Sequence, residues 1–360
     1  METIFISIAS YRDTLCSKTI HHIFEMARYP SRIYVGICEQ NDPKSTKEEC
    51  PVIEKYASNI RKLKLHYKDA KGPTWARYLC STLYKNEDFF LQIDSHTLFV
   101  KDWDEKCIQM IKSLEKSSTI ENKNVLLSHY PPIMDDYEEN PKNDQVTHMV
   151  ECFFNNEGII SFKGAKWKKP GKLPRRNAFI AGGFIFSRGQ WVKDVPFDPH
   201  LNFLFVGEEM LLSSRSFTNG WDVYTPNQNI VYHAYIRDKE PKFWNDVSYD
   251  DSQSKIKLKI ILGLDHDIHK LTDKKARDSL KKYGMGEKRS LQDFYDFIGV
   301  DIKNKKVGKP KIEFYCPENS NQNTVNILFS TNVVLACAII FIWLIQIMLS
   351  KTKNLKHKSK

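Results

Sequence analysis

The chain has no Cys-x-x-Cys pair, no Asn-x-Ser/Thr acceptor site and no apolar leader at its N-terminus. Its cysteines (Cys16, Cys38, Cys50, Cys80, Cys107, Cys152, Cys316 and Cys337) are scattered. That spread lacks zinc-knuckle spacing and fits a reducing compartment better than a disulfide framework. The missing acceptor sites agree with this. The first apolar run, Ile4 to Ala9, follows no basic region and runs straight into Tyr11-Arg12-Asp13. It is too short for a signal peptide and reads as a buried strand. No internal repeat is visible. Excess positive charge is modest outside one end: of a net charge of +10, Lys351, Lys353, Lys356, Lys358 and Lys360 supply half. A basic face interleaved with stacking aromatics is therefore missing, and no nucleic-acid partner is expected.

What the chain does have is enough apolar material for a sizeable core. At 360 residues, 41% hydrophobic and 12% aromatic, it is not a disordered polymer. One long apolar run stands out. Residues 327–349 carry no charge and are unbroken from Val333 to Ile345. A helix of that length spans about 35 Å, enough to cross a bilayer core. The expectation is a membrane protein with a single C-terminal span. The positive-inside rule draws the lysine tail to the cytoplasm. Nothing upstream, however, starts translocation of the large N-terminal part. A tail anchor with a cytoplasmic catalytic domain is the favoured arrangement.

Residues 1–130 alternate strand-like and helix-like patterns. Apolar runs at Phe5–Ala9, Ile33–Cys38, Leu63–Tyr67, Phe89–Ile93 and Val125–Leu127 are separated by amphipathic stretches at 14–28, 44–58, 73–83 and 103–114. Such alternation predicts an α/β fold on a mostly parallel sheet. Residues 135–176 read as loops with an antiparallel edge. Residues 181–187 and 223–231 read as strands, and 207–217 and 251–299 as helical. The predicted organisation is a catalytic domain over 1–250, its helical extension over 251–303, a linker over 304–326, the span over 327–349 and a basic tail over 350–360.

The sharpest chemical signal is Phe89-Phe-Leu-Gln-Ile-Asp94-Ser-His96. Ligands of open α/β sheets gather beyond the C-terminal ends of strands. Residues i and i+2 of an extended segment face the same way, so Asp94 and His96 can meet one cation. A carboxylate with an imidazole suits Mn²⁺ better than Mg²⁺. The plain alternative is a capped turn. His233, after a second strand-like run, either completes the metal site or sits in the core. Glu208 and Glu209 open a helix, where acidic residues complement the dipole; either can also contact sugar or acceptor hydroxyls. Ser10-Tyr11-Arg12-Asp13 follows the first strand as a base- and ribose-holding turn or a helix cap. Arg77 offers a cation for phosphate. Asp265-His-Asp-Ile-His269 reads as a solvated loop, His21-His22 as helix, and Asp102 and Asp104 as dipole complements.

Together these pieces resemble the cytoplasmic hydroxyproline polypeptide N-acetylglucosaminyltransferases of the GT-A superfamily. The stretches are Ile8 to Asp13, Pro30 to Gly36, Gly72 to Arg77, Gln92 to His96, Trp103-Asp104, Ala181-Gly-Gly-Phe184, Val195 to Pro199, Leu204 to Glu209, Thr218 to Asp222, Tyr232 to Tyr235 and Tyr283 to Asp301. The resemblance implies a GT-A type, Rossmann-like mixed sheet flanked by helices, with a divalent metal, Mn²⁺ first, on Asp94, His96 and His233. It implies a UDP-sugar donor, UDP-N-acetylglucosamine first, contacting Ser10, Tyr11, Arg12, Asp13, Arg77, Gly182 and Gly183. It further implies retaining transfer to a hydroxyproline hydroxyl, with Glu208 or Glu209 orienting donor or acceptor. The membrane span departs from the soluble form of the family and leaves a protein or a glycan as acceptor. The competing expectation is a degenerate domain that binds a glycan or protein at a membrane without turnover.

Overall fold

A computed structural model of the chain describes residues 1–139, 145–168, 170–238 and 240–310. The predicted membrane span, the basic tail and the linker beyond residue 310 lie outside the described residues. Among the described residues no helix is long and apolar enough to cross a membrane.

The strands up to residue 233 are β1 (Ile4–Tyr11), β2 (Ile33–Asn41), β3 (Ile60–His66), β4 (Phe89–Asp94), β5 (Thr97–Phe99), β6 (Val125–Ser128), β7 (Val146–Phe154), β8 (Ile160–Trp167), β9 (Arg175–Asn177), β10 (Phe184–Arg188), β11 (Asp222–Thr225) and β12 (Val231–His233), and a two-residue pair, Val300–Asp301 with Lys306–Val307, follows. Eight of them form one sheet in the order β3-β2-β1-β4-β10-β6-β11-β9. β1 to β4 pair in parallel, as the apolar runs predict. β10 then enters antiparallel to both β4 and β6, and β9 closes the far edge antiparallel to β11. The sheet is therefore mixed. An apolar run such as Phe184–Phe186 carries no signal of strand direction, so the reversal is invisible in the pattern.

The helices are α1 (Cys16–Glu25), α2 (Pro73–Ser81), α3 (Trp103–Lys116), α4 (Asp135–Glu139), α5 (Gln190–Asp194), α6 (Glu208–Thr218), α7 (Phe243–Asp246), α8 (Ser252–Ile261), α9 (Lys274–Asp278), α10 (Leu280–Tyr283) and α11 (Leu291–Ile298). Side chains alternate across the central strands. Ile4, Ile6, Ile8, Phe89 and Leu91 bury against α1 and α3, while Phe5 and Phe90 bury against Trp191 of α5. Both faces are covered, which is why these strands read as unbroken apolar runs. A third core joins the β7–β8 hairpin to α6, α8 and α11 through Met149, Ile160, Met210, Leu258 and Phe294.

Three expectations are corrected. Residues 44–58 are not a helix but two short 3₁₀ turns, Thr46–Glu48 and Glu54–Asn59. Pro51 removes an interior N–H there, and Cys50 is tied elsewhere, its N–H donating to Glu39 Oε1 at 2.8 Å. The cysteines are not all free thiols: Cys16 and Cys50 form a disulfide that joins the start of α1 to this loop. Residues 223–231 are not one strand, because β11 belongs to the large sheet and β12 pairs with β5 in a separate two-stranded ladder.

Candidate active site

The site forms where β4 ends. Asp94 is the last residue of β4, beside Ala9 of β1 on one side and next in line to the Ile93–Phe184 pair on the other. The chain bends through Ser95 and His96 into β5, and β12 pairs antiparallel with β5, setting His233 opposite Thr97. Backbone bonds lock the approach: Ala234 N donates to His96 O at 3.1 Å and His233 N to Pro132 O at 2.9 Å. His233 Nε2 lies 3.0 Å from Asp94 Oδ2, and the two imidazole centroids are 4.6 Å apart. One donor atom from each of Asp94, His96 and His233 falls within 4.8 Å of the others, a group able to hold a metal ion. One carboxylate and two imidazoles fit a borderline divalent cation.

A ring of charge surrounds this cluster. Arg77, on α2, donates from Nη2 to Asp94 Oδ1 at 3.0 Å and from Nη1 to Glu208 Oε2. Burial alone would raise the Asp94 pKa. The His233 hydrogen bond and the charges of Arg77 and His96 overrule it and hold Asp94 well below the usual carboxylate range. Glu208 goes the other way: burial raises it, and Arg77 offsets only part of that. Glu209 is pushed up to about 7 by burial, although Gly182 N (2.8 Å) and Tyr130 Oη (2.9 Å) both donate to it. The two glycines ahead of β10 are held close. A Cβ on Gly182 would lie 2.9 Å from Arg77 Nη1, and one on Gly183 would lie 3.2 Å from Asp94 Oδ2.

In front of the cluster lies a cavity of about 280 Å³, lined by Tyr11, Gln40, Gly72, Arg77, Asp94, His96, Arg237 and Lys242 among others. Gln40 is buried, and its Oε1 has no hydrogen-bond partner among the described residues. At the mouth stand Phe205 (59% exposed) and Trp244 (44% exposed), with ring centroids 5.7 Å apart.

Of the residues predicted to touch a donor, Tyr11 and Arg77 line the cavity. Ser10 and Asp13 are buried behind the wall. Arg12 is turned to Glu48 (3.1 Å) and Asp246 (2.9 Å). Gly182, Gly183, Glu208 and Glu209 pack behind Arg77 and Asp94 rather than on the cavity surface. Sequence reasoning missed Arg237, Lys242, Phe205 and Trp244. Arg237 sits four residues beyond His233, just past the Tyr232 to Tyr235 stretch. Phe205 was legible only as part of an apolar run, and its exposure is a tertiary fact.

The other clusters take plain roles. His22 Nδ1 accepts from Phe99 N at 2.9 Å. Asp267 accepts from His269 N and Asp265 pairs with Lys270 at 2.7 Å, in an exposed loop. Asp104 does more than complement a dipole, since it accepts from Arg28 N and Tyr29 N and pairs with Arg32.

A family model described as glycosyltransferase (GlcNAc) matches residues 3–58 and 42–304. No curated protein sequence matches the chain. The fold is similar to a solved structure of GalNAc-T7 with UDP, GalNAc and Mn²⁺, at a TM-score of 0.54 and 11% identity. That likeness covers 84% of this chain, which spans 58% of the length of that one. A weaker likeness, TM-score 0.45 and 14% identity, is to S. aureus TarS 1–349 in complex with UDP-GlcNAc, covering 78% of this chain and 73% of that one. The mixed sheet with its flanking helices is a GT-A-like fold.

Proposed function

The chain belongs to the glycosyltransferase (GlcNAc) family, and from that premise we propose that it transfers N-acetylglucosamine from UDP-N-acetylglucosamine to a hydroxyproline-like hydroxyl of a protein, with retention. The observation that carries this reading is the convergence of Asp94, His96 and His233 on one point at the edge of a cavity. In this proposal the three residues hold a divalent cation, Mn²⁺ by preference, which when bound neutralises charge on the donor's diphosphate.

The chain's own residues then divide the work. Tyr11 and Gln40 line the cavity near the ends of β1 and β2, where the nucleoside would lie. Arg237 and Lys242 turn positive charge toward the diphosphate. Arg77 is engaged by Asp94 and Glu208, so it serves as a brace for the metal-holding carboxylate rather than as a phosphate clamp. Neither Glu208 nor Glu209 lines the cavity, which favours positioning roles over a general-base role. The acceptor proton then passes to the departing phosphate oxygen. Phe205 and Trp244 supply aromatic faces for the C–H bonds of a saturated acceptor ring. The apolar run at 327–349 supports a membrane anchor for this domain.

The test is UDP release and product mass with the purified protein, several UDP-sugars and hydroxyproline-containing peptides, in Mn²⁺ or chelator. Activity with UDP-N-acetylglucosamine should vanish in chelator, return with Mn²⁺, and fall at least about 10²-fold in Asp94→Ala. Full activity in chelator, or turnover by Asp94→Ala at the wild-type rate, would sink the metal assignment. Glycan or peptide binding without turnover of any UDP-sugar would favour a binding module instead.

A further inference from the structure

We propose that Asp13 is a positioning residue that fixes the tautomer of His96, so that His96 presents Nε2 to a divalent cation. The inference rests on the metal reading of Asp94, His96 and His233 made above. Asp13 follows β1 through a left-handed turn at Arg12 (φ 46°) and is 1% exposed. Its Oδ1 accepts from Leu15 N at 3.0 Å. Its Oδ2 accepts from Ser95 Oγ and lies 2.7 Å from His96 Nδ1, and it forms an ion pair with Arg237 Nη2 at 3.1 Å.

An ionised carboxylate only accepts hydrogen bonds. His96 must therefore carry its proton on Nδ1, and in the neutral ring the lone pair is left on Nε2. A carboxylate that holds the far nitrogen of a metal-binding histidine sets both ring orientation and tautomer. His233 has no such partner: its Nδ1 is buried and unpaired among the described residues. Of the two imidazoles, His96 is the one whose donor atom the protein sets in advance. The same Oδ2 also pairs with Arg237, so one buried carboxylate outside the cavity lining holds two groups of that lining.

The decisive substitution is Asp13→Asn. The amide oxygen stays on Leu15 N–H, and the amide –NH₂ then faces His96 and Arg237. A donor now meets His96 Nδ1, which must accept. The proton moves to Nε2, and that nitrogen is lost as a ligand. This is the wrong-tautomer logic by which an Asp→Asn change disables a catalytic histidine elsewhere.

The experiment uses the full chain in detergent, without donor. Mn²⁺ affinity is read by electron paramagnetic resonance, and the tautomer of His96 by ¹⁵N-histidine spectra of the metal-free protein, assigned with His96→Gln. Wild type should show Nδ1–H at His96. Asp13→Asn should show Nε2–H and bind Mn²⁺ about 10–100-fold more weakly, with its metal-free unfolding midpoint still cooperative. An Asp13→Asn protein with wild-type Mn²⁺ affinity would overturn the proposal. So would an Nε2–H tautomer at His96 in wild type, a result that needs no variant to fold. Failure of wild type to bind Mn²⁺ while His96 is Nδ1–H would instead remove the metal reading and leave the Asp13–His96 tautomer pair standing.

Discussion

Glu209 stands in the first turn of α6 with both carboxylate oxygens occupied, one by Gly182 N–H and one by Tyr130 O–H. Those bonds favour the charged form, yet burial outweighs them and lifts its pKa from an ordinary 4.5 to about 7. The sign of the consequence follows. Between about pH 4.5 and 7 the folded chain keeps a proton that the unfolded chain has lost, so stability falls as pH rises through that window. The penalty is complete above pH 7 and is on the order of 3–4 kcal/mol. Glu209→Gln keeps the shape, accepts from Gly182 and donates to Tyr130, and has nothing to ionise. Urea unfolding at pH 5 and pH 8 should show wild type losing stability relative to Glu209→Gln between the two. Equal changes in both proteins would mean that Glu209 ionises normally in the fold.

At the scale of elements, the aromatic mouth is built from two segments far apart in sequence, the turn carrying Phe203 and Phe205 and the short helix α7 carrying Phe243 and Trp244. Phe203 stacks on Phe243 (6.4 Å) and Phe205 meets Trp244 edge-on (5.7 Å), so each segment props the other. The turn is pinned from below: Phe203 N donates to Lys71 O, and a Cβ on Gly72 would lie 2.8 Å from Phe203 Cα. Gly72 also has φ +84°, which disfavours any side chain there. Trp244 is exposed at the rim, so Trp244→Ala should spare the fold. It should raise KM for an acceptor peptide about tenfold, the worth of one aromatic face, while UDP affinity holds. Kinetics with acceptor varied, set beside UDP titration, check this; an equal loss for both ligands would place Trp244 in the donor site.

The same scale explains what could be read in advance. Parallel strands covered on both faces are continuous apolar runs, so β1, β2 and β4 are visible in the sequence, and Asp94 with His96 gains meaning from ending one of them. His233 was legible because a short apolar run precedes it. The geometry behind the convergence was not: the pair meets through a bend at Ser95 and the β5–β12 ladder, rather than along one extended strand. The 44–58 stretch misled because its spacing of apolar and charged residues is helical, whereas Pro51 and the Cys16–Cys50 link settle it as turns. Arg237 and Asp13 are neighbours only in the folded chain, and no periodicity announces a pair so far apart in sequence.

For the molecule as a whole, every described core closes within residues 4–300. The two sheet cores draw on β1, β2, β4, β5, β6, β10, β11 and β12, and the third core ends on Phe294, Tyr295, Ile298 and Val300. Helices α8 and α11, after residue 251, share that third core through Leu258 and Phe294. Among the described residues, none past 244 lines the cavity or joins the metal-holding group. A chain ended at residue 310 therefore keeps each core and each site residue, and loses only the predicted linker, span and tail. If the 327–349 run is an anchor and no more, this shorter chain should leave the membrane pellet for the supernatant. It should release UDP at a rate within about twofold of the full chain measured in detergent, since every described core and site residue is kept. Fractionation and the UDP assay on both lengths decide the matter. A truncated protein that melts cooperatively but has lost turnover would assign the C-terminal segment a part in the reaction. A full-length protein found in the supernatant would remove the anchor.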